Sequence, residues 1–191
     1  MPERKIALEE HVVLPTLSTP GAVGSPATAF EPDYFADVRQ RLVDSDKRLE
    51  DMDRFGVEMM VLSLSQPGVQ GIFDRARAVD AAVRLNVELA DVVAKHPLRF
   101  AGFAAVALQD PAAAGDELER SVKQLGFKGA LINGFSNVGN AETAQYLDEA
   151  PVWEFWERVA ALDVPVYLHP REPLITQRRI YEGYPGLVAS A

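Results

Sequence analysis

Five short apolar runs, separated by stretches of helical periodicity, constrain this fold more than any other feature of the sequence. They are KIALEE (5–10), VEMMVLSLS (57–65), RFAGFAAVAL (99–108), FKGALING (127–134) and VPVYLHP (164–170). Their length and their β-branched and aromatic content predict strands. Between the second and third, residues 74–95 place Ala78, Val79, Ala82, Val83, Leu85, Leu89, Val92 and Val93 on one face of a 3.6-residue period. Residues 111–124 predict another helix, with Asp110 as N-cap, Pro111 at the first helical position and Gly126 just past the end. Helices are also expected at about 41–55, stopping at Gly56, and at 151–162, beginning at Pro151 and carrying Val152, Phe155, Trp156, Val159 and Ala160.

Strands alternating with helices predict an α/β fold with a parallel sheet, and strands that are apolar almost throughout predict a sheet covered on both faces. The 191 residues suffice for one domain with a sizeable core. Two segments break the rhythm: residues 15–32, PTLSTPGAVGSPATAFEP, read as a long functional or mobile loop, and 171–191 as an irregular tail. No internal repeat appears beyond the strand–helix alternation.

The chemistry collects at strand ends, where parallel α/β folds bind ligands. The first strand finishes on Glu9, Glu10 and His11, and the fifth on His169. Alternation along a strand puts Glu9 and His11 on one side and Glu10 on the other. Glu plus two His is a sensible partial ligand set for a divalent cation such as Zn²⁺ or Mn²⁺. A strand exit bearing three ionisable groups also describes a solvated, hydrogen-bonded rim, and spacing alone leaves both readings open. Three further strand-end loops are polar and turn-rich: SLSQPGVQG (63–71), INGFSNVGN (132–140) and HPREP (169–173). They read either as simple turns or as a shared pocket rim, with Asn133 offering an amide at its floor. Arg171 is expected at the surface near the mouth. His96 lies at a helix C-terminus, where it favourably faces the macrodipole.

A net charge of −9 and a pI of about 4.8 argue against nucleic acid or an anionic membrane as partner. The absence of cysteine excludes disulfides and thiolate metal sites. No apolar run approaches the roughly 20 residues of a membrane span, and the N-terminus lacks the apolar core of a signal peptide. A soluble, cytoplasmic protein is expected.

Taken together and in order, ALEEH, LSLSQPGVQ, FAAVALQDP, LGFKGALINGFS and YLHPREP resemble the metal-dependent, non-oxidative aromatic acid decarboxylases of the amidohydrolase superfamily. The γ-resorcylate and dihydroxybenzoate decarboxylases are the most similar in wording. Related hydrolases open with His-x-His, whereas Glu-x-His is typical of the decarboxylases. The resemblance implies a (β/α)₈ barrel of TIM type with one divalent metal, Mn²⁺ or Zn²⁺, held by Glu9, His11 and His169. It also implies that Phe30 packs on the ring of a small aromatic carboxylic acid, which places the 15–32 loop over the pocket, and that Asn133 lines that pocket. The implied reaction is decarboxylation of an ortho-hydroxybenzoate: the metal chelates the carboxylate and the adjacent phenolic oxygen while an acid protonates the ring carbon. Homo-oligomers are usual in the family.

The sequence departs from the family pattern in extent. Five strands are read where the barrel needs eight, so the barrel is incomplete and its first and fifth strands are open edges, an aggregation hazard. The family's sixth-strand acid His and eighth-strand Asp ligand are expected beyond Ala191, no catalytic residue is assigned within the chain, and the 191 residues are expected to be an inactive N-terminal part of a longer enzyme. Two other readings stay open: a metal-dependent hydrolase of the same superfamily, and a non-catalytic fragment that completes a barrel with a partner.

Overall fold

A computed structural model describes residues 5–17, 32–174, 176, 177, 179 and 183. The five expected strands form and run parallel in sequential order. β1 (Lys5–Val12) pairs with β2 (Val57–Leu64), and β2 with β3 (Phe100–Gly102). The third barrel strand then changes partner. Phe103 N donates to Leu62 O at 2.9 Å, and Ala104 N to Gly129 O at 2.8 Å. From there β4 (Ala104–Ala105) pairs with β5 (Ala130–Asn133), and β5 with β8 (Val166–His169).

The third strand is therefore shorter than the apolar run predicts. Val106, Ala107 and Leu108 are fully buried, yet they lie outside the ladder. Amide side chains take over the backbone around them: Gln70 Nε2 donates to Val106 O at 2.8 Å, and Gln145 Nε2 to Leu108 O at 2.8 Å. Asn86, in a helix, donates to Ala105 O at 2.9 Å and accepts from Ala105 N at 2.8 Å. A buried backbone must have partners, and side chains can supply them as well as a neighbouring strand can.

The helices cover the outer face. α1 (Pro32–Val43) and α2 (Ser45–Phe55) replace the single helix expected at 41–55. The break is at Asp44, whose carboxylate accepts from Asp46 N at 3.0 Å and Lys47 N at 3.1 Å and so starts a new helix. α3 (Arg75–Lys95) and α4 (Pro111–Leu125) follow, the latter capped by Asp110 and ended by Gly126 at φ 75°. α5 (Trp153–Leu162) precedes the last strand. A two-residue antiparallel ribbon, β6 (Ser136–Asn137) with β7 (Ala144–Gln145), lies in the loop after β5; its residues carry no period-2 pattern that would have announced it.

Alternation sorts the apolar side chains into two clusters. Leu62, Leu64, Phe100, Ala130 and Ile132 pack outward with Met52, Leu85, Leu89, Leu118 and Phe155 of the helices. Val61, Ala101, Phe103 and Leu131 form a smaller inner cluster, with Met59 and Tyr167 against it. This is the two-faced burial of a barrel wall. Among the described strand residues, large apolar side chains are exposed only on the flanking strands: Ile6 and Leu8 of β1 and Leu168 of β8. Among the described residues, no helix is long and apolar enough to cross a membrane.

Candidate metal centre

Glu9, His11 and His169 offer ligand atoms that all lie within 4.8 Å of one another. Glu9 and His11 share a face of β1, and His169 ends β8, four strands away. His169 Nε2 is 3.5 Å from Glu9 Oε1. The imidazoles of His11 and His169 meet edge to face with centroids 4.5 Å apart.

Hydrogen bonding leaves this cluster incomplete. His11 Nδ1 is 3.1 Å from Ser63 Oγ on β2, its register neighbour. With Nδ1–H donating to that hydroxyl, Nε2 presents its lone pair to the cluster, and Nε2 is buried with no hydrogen-bond partner. His169 Nδ1 is buried and unpartnered in the same way. Buried polar atoms without partners are rare and call for an explanation. A cation in the cluster explains the first, since His11 Nε2 faces it; His169 faces Glu9 through its other nitrogen, Nε2. Burial lowers the His11 pKa to about 4, with the neighbouring His169 adding to the effect and Glu9 opposing it. His11 is thus neutral at pH 7, the form that ligates. Nitrogen and carboxylate donors in this number suit Mn²⁺ or Zn²⁺.

Two supporting residues escaped the sequence reading. The Tyr167 hydroxyl donates to Glu9 Oε2, and that bond raises the tyrosine pKa. Tyr167 sits two residues before His169 and therefore shares its inward face, which is the signal that would have found it. Arg48 of α2 is buried and holds the other side of β1. Its Nη1 donates to Glu10 Oε2 at 3.1 Å, and its Nη2 donates to His11 O at 2.6 Å and to Arg41 O at 3.0 Å. Burial raises the Glu10 pKa while Arg48 pulls it down. The three ionisable residues that end β1 thus split by alternation, two toward the cluster and one toward a buried arginine.

Asn133 ends β5 in register with His169. It is 1% exposed, donates through Nδ2 to Leu64 O at 3.4 Å, and keeps Oδ1 buried and unpartnered. Phe30 and residues 18–31 of the long loop lie outside the described residues. His96 is the C-cap of α3, its ring edge on Phe100, at the opposite end of the third strand from the cluster. Arg171 is not the surface residue expected. It is half-buried, donates to Phe135 O and Asn137 Oδ1 at 3.0 Å each, and lies over the Phe135 ring at 4.3 Å. Stacking its guanidinium on an aromatic face removes much of the reason for it to reach water.

A curved wall of parallel strands with helices outside, and a Glu-x-His/His cluster at its strand ends, defines a βα-barrel protein with a candidate metal centre. The chain belongs to the amidohydrolase family, whose sequence model matches residues 11–186. It is 50% identical over 186 residues to the γ-resorcylate decarboxylase of Polaromonas sp. (strain JS666), an alignment that covers 96% of this chain and 55% of that enzyme. Among solved structures, the dihydroxybenzoic acid decarboxylase from Polaromonas sp. JS666, with bound manganese and the inhibitor 2-nitroresorcinol, superposes with a TM-score of 0.85 at 49% identity, covering 97% of this chain and 55% of that one. A 2,6-dihydroxybenzoate decarboxylase complexed with 2,6-dihydroxybenzoate superposes with a TM-score of 0.85 at 47% identity, covering 97% and 56%. The chain thus spans about half the length of the relatives it matches, and the barrel it forms is incomplete.

Proposed function

We propose that this chain forms the metal-binding part of a Mn²⁺-dependent, non-oxidative decarboxylase acting on an ortho-hydroxybenzoate of the 2,6-dihydroxybenzoate type. The observation that carries the reading is the convergence of ligand atoms from Glu9, His11 and His169 within 4.8 Å of one another, with His11 Nε2 buried and unpartnered among them. Glu9, His11 and His169 hold the cation. When bound, it neutralises and orients the substrate carboxylate and the adjacent phenolic oxygen.

The chain's own residues do the rest of what this part does. Ser63 and Tyr167 fix the orientation of His11 and Glu9, and the apolar inner cluster of Val61, Ala101, Phe103 and Leu131 keeps water from beneath the site. Phe30 is proposed to pack on the substrate ring, and Asn133, with its free Oδ1, to line the pocket. In the overall reaction the ring carbon gains a proton and loses CO₂. The proton donor and a fourth ligand, a carboxylate, are proposed to belong to the part of the barrel that the relatives have and these 191 residues do not span.

Calorimetric titration with Mn²⁺ tests the reading. One ion should bind per chain, binding should be lost in H11A and H169A, and 2-nitroresorcinol should bind only when Mn²⁺ is present. Absence of Mn²⁺ binding, or binding indifferent to both substitutions, overturns it.

A further inference from the structure

The loop that leaves β5 and the segment that leaves β8 diverge from two residues in register, Asn133 and His169. Immediately beyond them the two segments are joined by one side chain. Arg171, two residues past His169, reaches Phe135, two past Asn133, and then Asn137. Asn137 in turn donates to Ala141 O at 3.2 Å and Thr143 O at 3.0 Å, which closes the loop on itself. Phe135 is buried between the guanidinium at 4.3 Å and the ring of Tyr146 at 5.6 Å. Gly134, at φ +60°, leaves room for the arginine stem, since a Cβ there would stand 2.7 Å from Arg171 Cγ. Burial lowers the Arg171 pKa, and the nearby charge acting against that shift is the adjacent Glu172. A half-buried guanidinium whose two hydrogen bonds go to a carbonyl and an amide is costly to place, and its fork is used to join two strand-end segments.

We propose that Arg171 is a positioning residue: it clamps the loop after β5 to the exit of β8, and so fixes Asn133 and His169 at the rim of the metal centre. The clamp stands on geometry alone; its effect on metal binding rests on the functional reading above. Lysine is a poor replacement, because it lacks the planar fork that bonds through two nitrogens while lying flat on the Phe135 ring.

The test compares wild type, R171M, R171K and G134A as full chains by hydrogen-exchange mass spectrometry and Mn²⁺ calorimetry. In R171M, peptides covering 134–146 should exchange at least tenfold faster, with those of α3 unchanged. Mn²⁺ affinity should fall about tenfold, as for other residues that support ligands indirectly, with the urea midpoint held. R171K should follow R171M. G134A, which pushes the stem aside, should reproduce both effects and serves if R171M does not fold. Unchanged exchange in 134–146 overturns the clamp. Faster exchange with unchanged Mn²⁺ affinity overturns the positioning role. Wild type that binds no Mn²⁺ overturns the metal reading, while the exchange data still decide the clamp.

Discussion

Arg48→Met should destabilise the fold by about 3 kcal/mol, and the structure says why. Arg48 is 8% exposed and its fork serves three oxygen acceptors, the Glu10 carboxylate and the carbonyls of His11 and Arg41, with the Met60 sulfur at 3.9 Å as a weak fourth. Methionine fills similar space and supplies none of these bonds. Breaking a buried ion pair from one side costs roughly 3–5 kcal/mol because the partner charge is stranded. Glu10 keeps 27% of its side chain in solvent, which places the cost at the low end. Glu10→Gln should cost only about 1 kcal/mol, since the arginine keeps both carbonyls. The double variant should then lose about 1 kcal/mol less than the sum, because Arg48→Met no longer strands a charge. Urea unfolding at pH 7 measures all three, with equal denaturant slopes as the condition for comparison. An Arg48→Met cost below about 1 kcal/mol would refute the reasoning, as would strict additivity. Either result would mean that the end of β1 is held by the Glu9–His11 side rather than from behind.

Two further outcomes follow from the site. The His11 pKa is about 4 in the folded chain against 6.5 for the free side chain. The unfolded state therefore binds more protons between those values, so metal-free stability should be full above pH 6.5 and fall as the pH drops toward 4. At roughly 1.36 kcal/mol per unit, and discounted for partial exposure, the loss should be about 2 kcal/mol; His11→Asn should flatten this slope in urea titrations at stepped pH. Ser63→Ala removes the hydroxyl that orients His11 and should weaken Mn²⁺ binding about tenfold, at a stability cost of about 1 kcal/mol for the Nδ1–H left without its acceptor; calorimetry showing wild-type affinity would mean that packing alone sets the ring.

Much of the fold is legible because strand and helix periods differ so sharply along this chain. The signals at Asp110, Pro111 and Gly126 are local, and the structure uses each as read. What was not legible depends on residues far apart. The third strand leaves its ladder after Ala105 because Asn86, Gln70 and Gln145 bring amides from other elements; nothing in the apolar run itself announces that. The helix break at Asp44 was readable in principle, as Asp is a strong N-cap, but continuing apolar periodicity masks it. At the site, Glu9, His11 and His169 stand out because ionisable residues end apolar runs. Tyr167 and Arg48 do not stand out, one reading as a strand aromatic and the other as a solvated helix charge. Arg171 was misplaced for a related reason: nothing at positions 169–173 reveals that Phe135 offers it a face.

The metal cluster also reports on the shape of the wall that carries it. β1 and β8 are the first and fifth barrel strands and do not pair with each other. In a flat sheet, four spacings of about 4.8 Å would hold them roughly 19 Å apart, too far for His11 and His169 to touch. Their rings are nonetheless 4.5 Å apart, and Tyr167 reaches Glu9 from the same strand as His169. Only a sheet curved into an arc brings its two ends face to face across the interior. The inner side chains along that arc are the small cluster of Val61, Ala101, Phe103 and Leu131, compact enough to permit the bend. Curvature is therefore what converts three strand-end residues, separated by up to 160 positions in the chain, into one candidate site. A cation bound there ties the first strand to the fifth, so that holding the metal and holding the arc are the same physical act.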